Sequence, residues 1–197
     1  MGTVNGAIQA EALDQEEQNL VEEILRDPEM FADLYRRYLT RVYHYLRARV
    51  GDRAEAEDLT GQVFLDALEA LPRYRAGTPF AAWLFTIARR RAADHHRRQA
   101  RRRSQRHHAI RLDLDENQPS PSPDALEQVI RDERLARLRQ LVDSLPVSEQ
   151  ELLRLRFAGG LSFNEIAHVT RRKVSAVKMS LYRLLERLES QMGEKDG

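Results

Sequence analysis

The chain has 197 residues, room for one domain or two small ones, since a domain takes roughly 100 to 150 residues. Its 42% hydrophobic and 32% charged residues fit a charge-rich soluble protein, and few aromatics and nine glycines argue against a sandwich or barrel, so an all-α fold is expected. The absence of cysteine excludes a disulfide framework and a thiolate metal site, and an acidic N-terminus with no run of about 18 apolar residues excludes a signal peptide and membrane insertion, so the expected location is cytoplasmic.

The net charge of +1 conceals a strong segregation. Residues 1–30 carry eight acids against the single base Arg26, whereas residues 89–111 carry ten arginines and four histidines against Asp94 alone. Charge separated in this way points to a polyanionic partner more clearly than the total does.

In chain order, Leu20, Ile24, Phe31, Leu34, Tyr35, Tyr38, Val42 and Leu46 recur at helical spacing, with a break predicted around Asp27 and Pro28. Gly51 and Asp52 punctuate. A second helix is predicted from about Arg53 to Leu71, with Leu59, Val63, Phe64, Ala67, Leu68 and Leu71 on one face and Pro72 ending it. Arg73 to Pro79 reads as a basic loop. In the helix that follows, Phe80, Trp83, Leu84, Ile87 and Ala88 form a stripe that gives way to RRRAADHHRRQARRR, so this end is expected to project from the domain or to lie on a polyanion. Residues 104–124 lose periodicity and gather Pro119, Pro121 and Pro123, the composition of a linker. Helical patterning resumes at Ala125 and defines a second unit, 125–191, with a polar tail at 192–197.

Two helix starts in that unit carry the same code. Ser148 and Glu151 are placed for a capping box with Val147 and Leu152 as its apolar staple; Ser162 and Glu165 repeat it with Leu161 and Ile166. Gly159 and Gly160 are expected to stop the helix between them. Ile166 and Val169 from one helix, and Val174, Val177, Leu181, Leu184, Leu185 and Leu188 from the next, are expected to face the core. A short helix, a tight turn and a second helix with basic residues outside is a helix-turn-helix pattern; an ordinary helical hairpin with solvated bases fits this unit taken alone.

The whole chain resembles the extracytoplasmic-function group of bacterial sigma factors. FADLYRRYLTRVYHYLRARVGDRAEAEDLTGQVFLDALEALPRY and TPFAAWLFTIARRRAADHHRR are similar to domain two of that family, and LPVSEQELLRLRFAGGLSFNEIAHV with the following helix to domain four, in the family's order with a linker of family length. The resemblance implies two small helical domains, 28–103 and 125–191, joined by the linker 104–124 and preceded by an acidic extension, 1–27. It implies a non-enzymatic subunit without cofactor whose partners are core RNA polymerase (the beta-prime clamp helices and the beta flap), promoter DNA and an anti-sigma factor.

Position by position, Asp58, Leu59, Gln62, Val63 and Phe64 match the segment that docks on the clamp helices, although Leu59, Val63 and Phe64 equally suit a buried face. Arg73, Arg75, Arg89, Arg90, Asp94, His95, Arg97 and Arg98 match the segments that open the minus-ten element and hold its unpaired strand, work that needs cations along a backbone. Trp83 could serve as a stacking platform there, but its place in the apolar stripe favours packing. Adjacent His95 and His96 point about 100° apart on a helix and make a poor chelate. Arg171, Arg172, Lys173, Ser175, Ala176, Lys178 and Arg183 match the reader of the minus-thirty-five element. Two departures stand out: Arg90, Arg91 and Ala93 replace a polar Asn followed by aliphatic residues, and Arg171, Lys173 and Ser180 replace a Gly, a small residue and a base. The acidic extension is a candidate shield for the arginine-rich helix in the free protein.

Overall fold

The computed structural model describes residues 23–24, 31–75, 77–105 and 125–193. The expected break near Pro28, the packing of Leu20, the linker beyond Gln105 and the acidic extension apart from residues 23–24 lie outside the described residues.

Among the described residues every regular element is helical. Helices α1 (Phe31–Val50), α2 (Arg53–Ala70) and α3 (Phe80–Gln105) form the first unit, with a short 3-10 turn at Leu71–Arg73. The second unit comprises α4 (Ala125–Ser144), α5 (Val147–Leu153), a wider-wound π segment (Arg154–Ala158), α6 (Phe163–Thr170) and α7 (Val174–Gly193). Gly51 supplies the left-handed residue that ends α1, its N–H returning to the Arg47 carbonyl at 3.0 Å. Asp52 then caps α2 by accepting from the Glu55 N–H at 2.8 Å.

Leu34, Tyr38, Val42, Tyr45 and Leu46 of α1, Ala56, Leu59, Val63, Phe64 and Ala67 of α2, and Phe80, Leu84, Phe85, Ala88 and Ala92 of α3 are buried together. Two expected core residues, Tyr35 and Leu68, are instead substantially exposed, while Tyr45, Phe85 and Ala92 are buried without having been expected. These three face the second unit or the far end of the bundle, so periodicity measured against the nearest neighbours does not find them.

The arginine-rich end of α3 does not leave the domain at Ala88, as the fading stripe suggested. Ala92 is fully buried, Arg91 pairs with Asp66, His95 lies 3.0 Å from Glu55, and Gln99 donates to Glu55 at 2.6 Å. The physical reason is that α2 offers a row of acids opposite α3, so polar pairing extends the contact after apolar pairing stops.

In the second unit the capping box at Ser162 is formed in both directions: Ser162 accepts from the Glu165 N–H at 3.2 Å, and the Ser162 N–H donates to Glu165 at 2.5 Å. Leu161 and Ile166, its staple, are both buried. The matching box at Ser148 is not formed. Helix α5 starts two residues earlier, behind Pro146, with no side-chain cap; Val147 is 73% exposed rather than stapled, and Glu151 is turned inward. Val174 and Leu185, expected inside, are part-exposed, whereas Val177, Leu181, Leu184 and Leu188 are buried as expected.

The two units pack on one another through α1 against the π segment and α3 against α6, and their buried residues form one contiguous core. Gly159 sits where a Cβ would lie 2.6 Å from the Phe85 ring and 3.0 Å from the Leu155 carbonyl, so only glycine permits this approach. Gly160, at φ 65°, provides the left-handed turn that ends the segment.

Candidate nucleic-acid interface

The helix-turn-helix pair α6 and α7 is joined by Arg171, Arg172 and Lys173. Arg171 adopts φ 54° and ψ 42°, the left-handed conformation that the sequence demands at a position without glycine. A side chain there costs about 1–2 kcal/mol, and the turn keeps it. Its N–H returns to the His168 carbonyl at 3.3 Å and that of Arg172 to Ala167 at 3.0 Å, closing α6. Lys173, Ser175, Ala176, Lys178 and Arg183 are all exposed on or beside α7, with Lys178 lying 5.8 Å from the Tyr182 ring. Arg172 behaves differently from its neighbours. Its guanidinium donates to the Ser180 hydroxyl at 2.6 Å and to the Ala176 carbonyl at 3.3 Å, so it braces the first turns of α7 instead of reaching outward. Ser180 is therefore the acceptor that makes this brace possible.

On the first unit, Arg73, Arg90 and Asp94 line one cleft of about 460 Å³ with Asp66, Glu69 and Arg91. Asp94, His95 and Arg98 border a smaller one shared with Asp58 and Gln62, so residues expected at DNA and at polymerase adjoin across α2 and α3. Arg97 pairs with Asp94. Arg75 is exposed on the loop, which Tyr74 stiffens by donating to the Thr78 carbonyl at 2.5 Å. Trp83 is part-buried against Tyr74 and Phe80, with ring centroids 5.3 and 5.2 Å away, and thus packs as its place in the stripe suggested. Among the expected clamp contacts, Asp58 and Gln62 are exposed, but Leu59, Val63 and Phe64 are core residues with 5% exposure or less. The outward apolar residues of α2 are Leu65, 63% exposed, and Leu68. Leu65 stands off the apolar stripe of α2, and its place there is what turns it outward.

Arg89 is set apart from the rest of its group. It points away from the basic cleft toward α5 and α6, where Nη1 donates to the Val169 carbonyl at 3.2 Å and Nε lies 3.5 Å from Glu151. Tyr45 donates to the same carboxylate at 2.7 Å and Arg49 pairs with it. Burial, reinforced by the Glu151 charge, holds the Tyr45 phenol protonated well above its ordinary range. No cluster of three or more metal-ligating side chains occurs among the described residues, and none of their helices is long and apolar enough to cross a membrane.

Comparison with known proteins identifies the family of both units. Residues 34–102 match Sigma-70 region 2 and residues 135–188 match Sigma-70, region 4. The chain is 36% identical over 163 residues to the ECF RNA polymerase sigma factor BldN of Streptomyces coelicolor, across 82% of this chain and 60% of that protein. It is 31% identical over 156 residues to the ECF RNA polymerase sigma factor SigD of Mycobacterium tuberculosis, across 77% of this chain and 71% of that one. In fold it is similar to the sigma factor RpoE solved in complex with the anti-sigma factor NepR from Bartonella quintana, with a TM-score of 0.57 at 17% identity over 84% of this chain and 98% of the other. Two family segments in the expected order, on a matching helical frame, place the chain in the extracytoplasmic-function class of RNA polymerase sigma factors.

Proposed function

We propose that this chain binds core RNA polymerase and directs promoter-specific initiation, melting the minus-ten element with its first unit (28–103) and reading the minus-thirty-five element with its second (125–191). It is a non-catalytic subunit that acts in the cytoplasm. The observation that carries this reading is the pairing of an outward basic face on α7 with a cleft edged by Arg73, Arg90 and Asp94 on the other unit.

In this assignment Lys173, Ser175, Ala176 and Lys178 face bases, while Arg171 and Arg183 contact phosphates, because phosphate contacts position a reader and base contacts specify it. Arg73, Arg75, Arg90, Arg97 and Arg98 hold the unpaired strand. The clamp contact centres on Asp58 and Gln62, joined by Leu65 and Leu68, which are available where Leu59, Val63 and Phe64 are not. The beta flap is the partner of the second unit, and an anti-sigma factor is the natural restraint, as RpoE of Bartonella quintana has in NepR.

Transcription reconstituted with core enzyme tests the proposal: the chain should confer open-complex formation on a subset of promoters, and failure on every candidate promoter refutes it. A stand-alone helix-turn-helix regulator would use α6 and α7 alike but leave the first unit without a task. Stable co-purification with core polymerase separates the two.

A further inference from the structure

We propose that Glu151 is a latch that holds the free chain in a closed form unable to engage a promoter. The contact itself is independent of the sigma-factor reading; its consequence for polymerase rests on that reading.

Glu151 is a carboxylate with 5% exposure, and every hydrogen-bonding or ion-pairing group found on it comes from the other unit: Tyr45 and Arg49 of α1 and Arg89 of α3. It has given up the local capping role that Ser148 offered. A buried carboxylate costs several kcal/mol unless partners surround it, so the second unit is stable in this arrangement only while the first supplies those partners.

Four further bonds across the seam, among the described residues, are of one kind. Arg41 donates to the carbonyls of Gly159 at 2.9 Å and Gly160 at 3.1 Å, Arg154 to that of Ala48 at 3.0 Å, and Arg89 to that of Val169. Guanidinium groups bind phosphate and carboxylate oxygens more strongly than neutral carbonyls. A polyanion therefore competes for the groups that keep the seam shut. Opening strands no charge, because Glu151 and its arginines return to water, and the desolvation cost they shed offsets much of the attraction they lose. A seam built this way is reversible in a manner that a purely apolar one is not.

Closure is incompatible with reading a promoter. The Val169 carbonyl bonded to Arg89 is four residues from Lys173, a chain length of at most about 14 Å. Elements centred at minus ten and minus thirty-five are about 25 base pairs apart, ~85 Å at about 3.4 Å per step. Arg90, next to Arg89 on α3 and among the residues that hold the unpaired strand, and the turn of the minus-thirty-five reader cannot both be on their targets while that bond stands.

The absence of cysteine makes the test direct. With Ala32→Cys and Glu189→Cys, both exposed, labelled for energy transfer in the full chain, the free protein should populate one high-transfer state. Glu151→Gln should move most molecules to low transfer and tighten binding to core polymerase about tenfold or more, as expected when the competent fraction rises from a minority. Tyr45→Phe, which keeps the ring and removes only the hydroxyl, should shift both readouts the same way by a smaller factor and guards against a folding defect in the first variant.

Unchanged transfer in both variants, with helical content preserved, overturns the latch. Opening without tighter polymerase binding, where the parent chain does bind polymerase, overturns its role as a restraint. Opening in variants that never bind polymerase supports the contact and counts against the functional reading instead.

Discussion

Val147 to Leu152 and Leu161 to Ile166 spell the same helix-start code fourteen residues apart, and only the second uses it. At Ser162 the serine and the glutamate satisfy each other's backbone amides. At Ser148 the glutamate is taken by a tyrosine and two arginines from another unit, and the helix begins without a side-chain cap. A capping box is worth on the order of 1 kcal/mol, whereas leaving a buried ion pair half-made costs about 3–5 kcal/mol. The long-range demand wins by magnitude, and a local code is decisive only where nothing stronger claims its residues.

The sharpest way to break this contrast is Glu151→Ala, which takes the shared acceptor from Tyr45, Arg49 and Arg89. It should lower unfolding stability in urea titrations by about 2–3 kcal/mol, more than a cap and less than the ~3–5 kcal/mol of a charge kept buried, because the seam opens and its arginines return to water; a loss near 1 kcal/mol would mean that the contact holds no more than a cap does. Next in size is an alkaline effect. The unfolded chain releases the Tyr45 proton above pH 10 while the folded chain retains it, so the folded state binds more protons there and stability falls as pH rises. The slope should approach about 1.4 kcal/mol per pH unit, and Tyr45→Phe should flatten it.

Ser162→Ala should cost about 1 kcal/mol in the same titrations. Arg171→Gly should stabilise by up to ~1 kcal/mol by removing a side chain from a left-handed site, and it should weaken DNA binding to all sequences alike in a filter or anisotropy assay. A sequence-selective loss would show instead that Arg171 reads a base. Ser148→Ala completes the comparison with a change within about 0.5 kcal/mol. If it matched Ser162→Ala, the two starts would be equivalent after all.

Much of this was legible beforehand. Helical periods located the described helices, and the order of the segments identified the family. What sequence could not carry was the seam. Tyr38, Val42, Tyr45 and Arg49 lie at spacings of four, three and four along α1, so a continuous stripe was present; its last two members were hidden because one is polar at its tip and the other charged. Arg91 stands in the arginine-rich run like its neighbours, and only the fold sets Asp66 opposite it. The same reasoning separates Arg172 from Arg171: adjacent in sequence and alike in chemistry, one braces its own helix because Ser180 stands within reach.

The glycine against the Phe85 ring sets a tolerance for the whole molecule. With no side chain at residue 159, an aromatic edge of one unit rests directly on the backbone of the other, and a single added carbon would act as a wedge 2.6 Å from that edge. The same carbon would also press within its own unit on the Leu155 carbonyl and the Leu161 side chain, each 3.0 Å away. The spacing between the units is thus gauged at one position, where even alanine would strain the seam and the turn beneath it at once without altering a charge.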